Sequence, residues 1–277
     1  MTRVWRGAPF IAAMTLATSL ISGATLADPW IPAAGDGVAK PMIRSFRADD
    51  VFSPGSFGTG AQPGSSQELT QFRVTGTQGL GHRFSLEYDL RAGWLRSSRV
   101  RHNQPVTASH SGLQDQEIGL NYGLAQRPNF AVSVTFNVIA PVGATNPPPA
   151  LGSGVWAVEP DYQVGLVRGP VALTLQAGPR IFLDGGAAQL RANLDISIRP
   201  RPRLALTGSA FFVRTIQQGR VVPVVDQGEI YNLLRLGVGA EYQLTSRFRP
   251  FVAYQVDVAG KAIHAGRRIV FGVAIHY

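Results

Sequence analysis

Hydrophobic and polar residues alternate one by one along much of this chain. In the segment 83–95, Phe84, Leu86 and Tyr88 share one parity, while Glu87 and Asp89 share the other. Successive side chains of a β-strand point to opposite faces, so this alternation predicts a strand with one apolar and one polar face. The segment 267–277 alternates in the same way.

The same pattern predicts an all-β chain, a single transmembrane antiparallel up-and-down β-barrel of about twelve strands. Short connections alternate with longer ones, among them 49–67, 96–113 and 259–266, which is typical of outer-membrane barrels. An even strand number suits a barrel whose two termini lie on one side of the membrane. The predicted strands are 39–48, 68–78, 83–95, 114–124, 130–139, 155–166, 171–182, 189–199, 203–214, 230–244, 250–258 and 267–277.

The distribution of charge along these strands supports the barrel. The apolar faces of 83–95, 189–199, 230–244 and 267–277 carry no charged residue. A lysine or arginine facing lipid at the bilayer midplane costs about 2–4 kcal/mol. We therefore expect the apolar faces to meet lipid and the polar faces to line the lumen.

The polar parity supplies the candidate functional residues, all expected in the lumen. One interpretation is a charge-lined path for a solute, and the other is a set of paired side chains that fill a closed lumen. The mixed signs argue against strong ion selectivity. The candidates are Glu87, Asp89, Arg91, Glu117, Glu159, Asp161, Arg191, Asp195, Arg235, Glu241, Asp257 and Arg268.

The N-terminal residues 1–27 have the features of a secretory signal peptide. Arg3 and Arg6 precede an apolar stretch, and small residues lead up to a predicted cleavage before Asp28. We expect residues 28–277 to form the barrel domain, in the outer membrane of a bacterium.

Composition removes several classes of function. Charged residues make up 16% of the chain, cysteine is absent, and no apolar run of 18 residues follows the N-terminal region. This excludes disulfides and cysteine chemistry and argues against a helical membrane protein. The net charge of +9 comes from dispersed arginines, so we expect contacts with lipid headgroups and lipopolysaccharide phosphates and no nucleic acid.

Catalytic motifs are weak. His110 and Ser111 are a close His/Ser pair in the sequence. Adjacent residues of a strand face opposite ways, so their side chains would not converge on one site. No metal-ligand spacing, phosphate loop or nucleophile elbow is present. We expect no catalytic residue, no metal and no cofactor.

Two resemblances extend this interpretation. The end of the chain, with Gly272, Ile275 and Tyr277, resembles the terminal strand of bacterial outer-membrane barrels, which implies recognition by the barrel-assembly machinery.

The second resemblance lies in glycine-rich loops and turns. Residues 140–143 (APVG), 151–156 (LGSGVW), 79–86 (GLGHRFSL) and 46–52 resemble outer-membrane proteins of the "meta-pathway of phenol degradation" family. The similarity implies a transporter-type barrel for small molecules, aromatic or otherwise hydrophobic. Two alternatives stay open: a structural or adhesive barrel with a sealed lumen, and an outer-membrane lipid hydrolase.

Overall fold

The fold was analysed in a computed structural model that describes residues 29–101, 104–184, 186–218 and 231–277. The predicted signal peptide, 1–27, lies outside the described residues. The part that is described contains thirteen strands, and none of its segments is a helix long and apolar enough to cross a membrane. The strands are β1 (Gly37–Phe52), β2 (Ala61–Gly81), β3 (Phe84–Arg101), β4 (Gln104–Leu113), β5 (Gln116–Arg127), β6 (Phe130–Ala140), β7 (Ala157–Arg168), β8 (Val171–Phe182), β9 (Ala188–Arg201), β10 (Leu204–Gln217), β11 (Asn232–Tyr242), β12 (Phe248–Lys261) and β13 (His264–His276).

Twelve of these strands form a closed antiparallel ring, which confirms the predicted fold. Each pairs with its neighbours in chain order, and β1 closes the ring by pairing with β13 from Val38–His276 to Val51–His264. The extra strand, β4, pairs with the outer part of β3, whereas the lower part of β3 pairs with β5. In a closed ring every strand has two neighbours for its backbone hydrogen bonds, which a bilayer requires.

The two faces of the ring are inverted relative to a soluble protein. Large apolar side chains such as Phe72, Phe136 and Leu236 are exposed on the outer face, while polar ones such as Asp89 and Gln163 are buried inside. Soluble proteins bury apolar side chains and expose polar ones. The predicted parity of the strands therefore matches a barrel with lipid outside and a polar lumen.

The strands extend beyond the predicted boundaries at one end of the barrel. The segments 49–67, 96–113 and 259–266 are predicted loops, yet β1 continues to Phe52, β2 starts at Ala61, and β3 and β4 form a long hairpin. Between β12 and β13 only residues 262–263 turn. These loop predictions are wrong because polar residues stand at positions of both parities in the extended segments, so the alternation that marks a strand disappears. Ser98 and Thr107 are an example on the outward parity, with their hydroxyl oxygens 2.9 Å apart.

The two ends of the barrel differ in their connections. Residues 82–83, 128–129, 169–170 and 202–203 turn tightly at one end, the short-turn end, as predicted. The opposite, long-loop end carries the connections 53–60, 141–156 and the one between β10 and β11.

Candidate functional site

The lumen holds all twelve candidate residues. Each lies on the inward parity of its strand, and ten of them are buried; Arg91 and Arg191 are half-buried. The structure joins most of them, with additional residues, into a belt of ion pairs and arginine–aromatic contacts near the long-loop end. We call this set the charged belt: Phe46, Arg73, Asp89, Arg91, Glu117, Glu159, Arg180, Arg191, Phe211, Arg235, Asp257 and Arg268.

The first half of the charged belt runs from β2 to β9 by alternating charge. Asp89 accepts hydrogen bonds from Arg73 Nε at 2.7 Å and from Arg91 Nε at 2.8 Å. Arg91 then reaches Glu117, with 3.3 Å between Nη2 and Oε2. An ionised partner roughly doubles the strength of a hydrogen bond, so each buried charge is stabilised by an opposite one.

The same half crosses the lumen instead of following its wall. Arg180 on β8 donates to Glu117 on β5 at 2.8 Å and also to Glu159. Two ring strands, β6 and β7, separate β5 from β8. The Arg180–Glu117 pair therefore spans a chord of the barrel.

The second half of the charged belt follows the wall from β9 to β1. The guanidinium groups of Arg191 and Arg235 lie 5.1 and 5.3 Å from the ring centre of Phe211. Asp257 accepts hydrogen bonds at 2.8 Å from both Arg235 and Arg268. These contacts join neighbouring strands and leave the centre of the lumen uncrossed.

The last contact brings the belt round to the first strand. The guanidinium group of Arg268 stacks over the ring of Phe46 on β1, 4.3 Å from its centre. A cation over the face of an aromatic ring is stabilised electrostatically, and the stabilisation is larger when both groups are desolvated.

Four candidates lie outside the belt. Glu87 accepts a hydrogen bond from Asn121, and Asp161 accepts from Asn137 and Gln176. Asp195 is buried on β9. Near the short-turn end, Glu241 Oε1 lies 3.9 Å from Arg249 Nη1.

Sequence reasoning missed several residues of this site. Arg73 and Arg180 are absent from the candidates although parity alone places them on the inward faces of the predicted strands 68–78 and 171–182. Arg249 was missed because it directly precedes the predicted strand 250–258, in a segment predicted as a turn. Including every polar residue of inward parity along each predicted strand would have added Arg73 and Arg180 to the candidates. Phe46 and Phe211 carry no such signal, because an inward aromatic residue breaks the polar pattern of its face.

The lumen is filled along β2–β8. Many of its inward polar side chains are buried and hydrogen-bonded to one another: Gln163 on β7 donates to Thr135 at 2.7 Å and contacts Glu87 on β3 at 3.5 Å. Two ring strands, β5 and β6, lie between β3 and β7, so this contact also spans a chord. Little room for a solute remains on this side.

The segment 29–36 occupies the same side at the short-turn end. Trp30 Nε1 donates to the carbonyl oxygen of Arg127 at 2.9 Å. The side chain of Gln126 donates to the carbonyl oxygen of Pro29 at 2.8 Å and accepts from the backbone N–H of Ile31 at 3.0 Å. A Cβ atom at Gly165 on β7 would lie 2.3 Å from the Trp30 ring. The segment thus runs inside the barrel, with a glycine on the wall where the indole packs.

The middle of the inner wall of β9–β12 is different because most of its side chains are small and partly exposed. Toward the long-loop end the same wall carries a buried cluster of Val213, Tyr231 and Leu233, against which Phe211 packs. A Cβ atom at Gly237 or Gly239 would lie 2.5 Å from Ser209 Oγ or 2.7 Å from Thr207 Oγ1, so these glycines let the strand pack closely without reducing the lumen. We call this surface the open wall: Asn193, Thr207, Ser209, Phe211, Gly237, Gly239, Ala253 and Gln255.

Other chemistry has little support in the geometry. His110 and Ser111 occupy successive positions of β4, and His110 Nδ1 lies 3.2 Å from the carbonyl oxygen of Pro149. Across the described ranges, no three acidic or histidine side chains gather in a way that could hold a metal ion.

Comparison with solved structures places the fold among outer-membrane β-barrels. An outer-membrane channel from Pseudomonas putida F1 is similar with a TM-score of 0.68 and 14% identity, over 93% of this chain and 100% of that one. The NanC porin gives 0.53 and 7% identity over 85% and 98% of the two chains. The translocator domain of the autotransporter NalP from Neisseria meningitidis gives 0.55 and 11% identity over 96% and 93%.

The sequence itself places the chain in a family. Residues 56–271 match the family model described as "Putative MetA-pathway of phenol degradation", so the chain belongs to that family and the resemblance found in its glycine-rich segments is confirmed. No curated protein sequence matches the chain.

Removing the shared acceptor of the belt should destabilise the barrel. Asp257→Asn leaves Arg235 and Arg268 with a neutral partner, and breaking a buried pair in this way costs about 3–5 kcal/mol. We expect the folded, fast-migrating form on unboiled gels to unfold at lower urea concentration. Asp184→Asn, in an exposed turn, serves as control; equal midpoints for both variants would contradict a stabilising role of the belt.

Proposed function

We propose that this protein is an outer-membrane channel through which small molecules diffuse along the open wall. The observation that carries the proposal is the asymmetry of the lumen: β2–β8 are crossed by buried side chains, whereas the middle of β9–β12 presents mostly small, partly exposed ones. A conducting pathway needs wetted, uncrowded lining, and the open wall is the surface that provides it. The similar channel and porin barrels support this function.

The mixed signs of the lumen lining argue against strong selectivity for ion type. The charged belt holds six arginines and four carboxylates, and four further carboxylates line the lumen outside it: Glu87, Asp161, Asp195 and Glu241. Arg191 and Arg235, which border the open wall, are paired with Glu159 and Asp257 at 2.9 and 2.8 Å. A guanidinium and a carboxylate at this separation cancel most of each other's field beyond the first few ångströms. A permeating solute therefore meets paired charges.

Aromatic compounds are the class of solute to test first. The family description refers to phenol degradation, and Phe211 presents a partly exposed ring on the open wall between two guanidinium groups. An aromatic solute can stack on such a ring or on a guanidinium plane.

A structural barrel with a sealed lumen is the second candidate, favoured by the filled side and the segment 29–36 inside it. Conductance separates the two. A purified protein that inserts in planar bilayers without conducting ions, and leaves liposomes impermeable to sugars, would support the sealed barrel.

We propose a non-enzymatic role, with the membrane and the assembly machinery as the other partners. Arg47 and Arg267 are cross-strand neighbours that point outward and are exposed near the long-loop end. Arg47 also donates to Asp49 at 3.2 Å. At that height anionic groups of lipopolysaccharide are natural partners for the two outward arginines.

Narrowing the open wall should reduce conductance. Ser209→Trp places an indole in the proposed path, while Ala210→Trp, its neighbour on β10, places the same group on the lipid face. We expect the single-channel conductance to fall for Ser209→Trp and to keep its original value for Ala210→Trp. Equal conductance in both variants would show that solutes take another route.

Gly272, Ile275 and Tyr277 are proposed as the assembly signal of β13. Tyr277 and Gly37 exchange backbone hydrogen bonds of 2.9 and 3.2 Å at the seam between β13 and β1. We expect Tyr277→Ala to lower the amount of folded barrel in the membrane, with Tyr277→Phe restoring it. Unchanged membrane levels of Tyr277→Ala, measured by heat-modifiable mobility, would argue against the signal.

A further inference from the structure

The loop 141–156, between β6 and β7, folds into the long-loop mouth of the barrel. Leu151 has no exposed surface and packs with Phe46, Leu69 and Leu95 on the inner faces of β1, β2 and β3. In the ring these strands lie two to four positions from β6. The loop must therefore reach inward across the mouth to make this contact.

One carboxylate fastens both ends of the loop. Asp115, between β4 and β5, accepts hydrogen bonds from Gly143 N at 3.1 Å, Ser153 N at 2.7 Å and Ser153 Oγ at 2.7 Å. Hydrogen bonds to an ionised acceptor are stronger than neutral ones. Asp115 thus ties the descending and returning arms of the loop to the barrel wall.

The two arms pass each other at glycines because no side chain fits there. A Cβ atom at Gly152 would lie 2.2 Å from Asp115 Oδ1, and one at Gly143 would lie 2.6 Å from the Cα atom of Gly152. A further backbone hydrogen bond of 2.7 Å joins Leu151 N to the carbonyl oxygen of Ala144. The arms are held together directly above the carboxylate.

The loop also rests against the part of the wall that has a free strand edge. Strand β4 pairs with β3, and β6 ends at Ala140 opposite Gln116, below β4. The contact of His110 with the carbonyl oxygen of Pro149, at 3.2 Å, places the loop beside β4. The loop thus covers the β1–β5 side of the mouth.

We propose that the loop 141–156 sets the size limit for solutes at the long-loop mouth, with Asp115 as its positioning residue and Leu151 as its anchor. The proposal rests on the channel function proposed above. With the loop fastened, the β1–β5 side of the mouth is covered; with it released, the mouth widens toward these strands.

The experiment compares three variants in planar bilayers and in liposome-swelling assays with sugars of increasing size. Asp115→Asn removes the charge and one of the acceptor oxygens that bind Gly143 and Ser153. Leu151→Ala removes the apolar anchor and leaves the hydrogen bonds of Asp115 in place. The matched control, Asp184→Asn, removes an exposed carboxylate in another connection at the long-loop end. We expect conductance to rise about twofold in the first two variants, since it follows the narrowest section of the pore, together with entry of larger sugars.

The outcomes separate this inference from the channel function. If the original protein fails to conduct, the channel function is wrong. If it conducts and the folded Asp115→Asn and Leu151→Ala variants keep its conductance and sugar size limit, the loop is not the size filter. Loss of the folded barrel in both variants would also overturn the proposal, because Asp115 and Leu151 would then be needed for folding alone.

Discussion

The mutual compensation of charges inside a narrow barrel is the constraint on which the rest of this structure depends. An isolated buried charge costs several kcal/mol, so a lumen that carries six arginines in its belt is stable only if each finds a partner. Asp89 and Asp257 each serve two arginines, and Phe46 and Phe211 stack against the remaining guanidinium faces. The belt thereby connects strands that are distant in sequence.

The belt also divides the lumen into two sides. Along β2–β8 the Arg180–Glu117 ion pair spans a chord of the barrel, and amide and hydroxyl side chains complete the filling below it. The segment 29–36 closes the short-turn end of that side, and the loop 141–156 covers its long-loop end. Along β9–β12 the contacts of the belt follow the wall, and the middle of these strands presents mostly small, partly exposed side chains. Both proposals, the channel and its size filter, follow from this asymmetry.

Much of the fold could be predicted because a two-residue period survives wherever one face meets lipid and the other meets the lumen. The strand 83–95 and the inward position of Glu87 follow from that period alone. The outer parts of β1–β4 could not be predicted, since polar residues stand at positions of both parities there and little alternation remains.

The residues that fill the lumen could not be predicted from the sequence either. Trp30 packs on Gly165 and Leu151 packs on Leu95, contacts that join residues far apart in the chain and leave no periodic trace. The glycines of the 140–154 segment mark a tight loop, yet their reason, the approach of Asp115, needs three dimensions.

Water access to the two sides of the lumen is the most direct measurement of this account. The chain has no cysteine, so single cysteines can be placed at Thr207 and Ala253 on the open wall and at Ser133 and Thr135 on the filled side. In the folded barrel, a charged thiol reagent should modify Thr207→Cys and Ala253→Cys rapidly and leave Ser133→Cys and Thr135→Cys unmodified. Equal rates at all four positions, or faster modification of the β6 pair, would contradict the half-filled lumen.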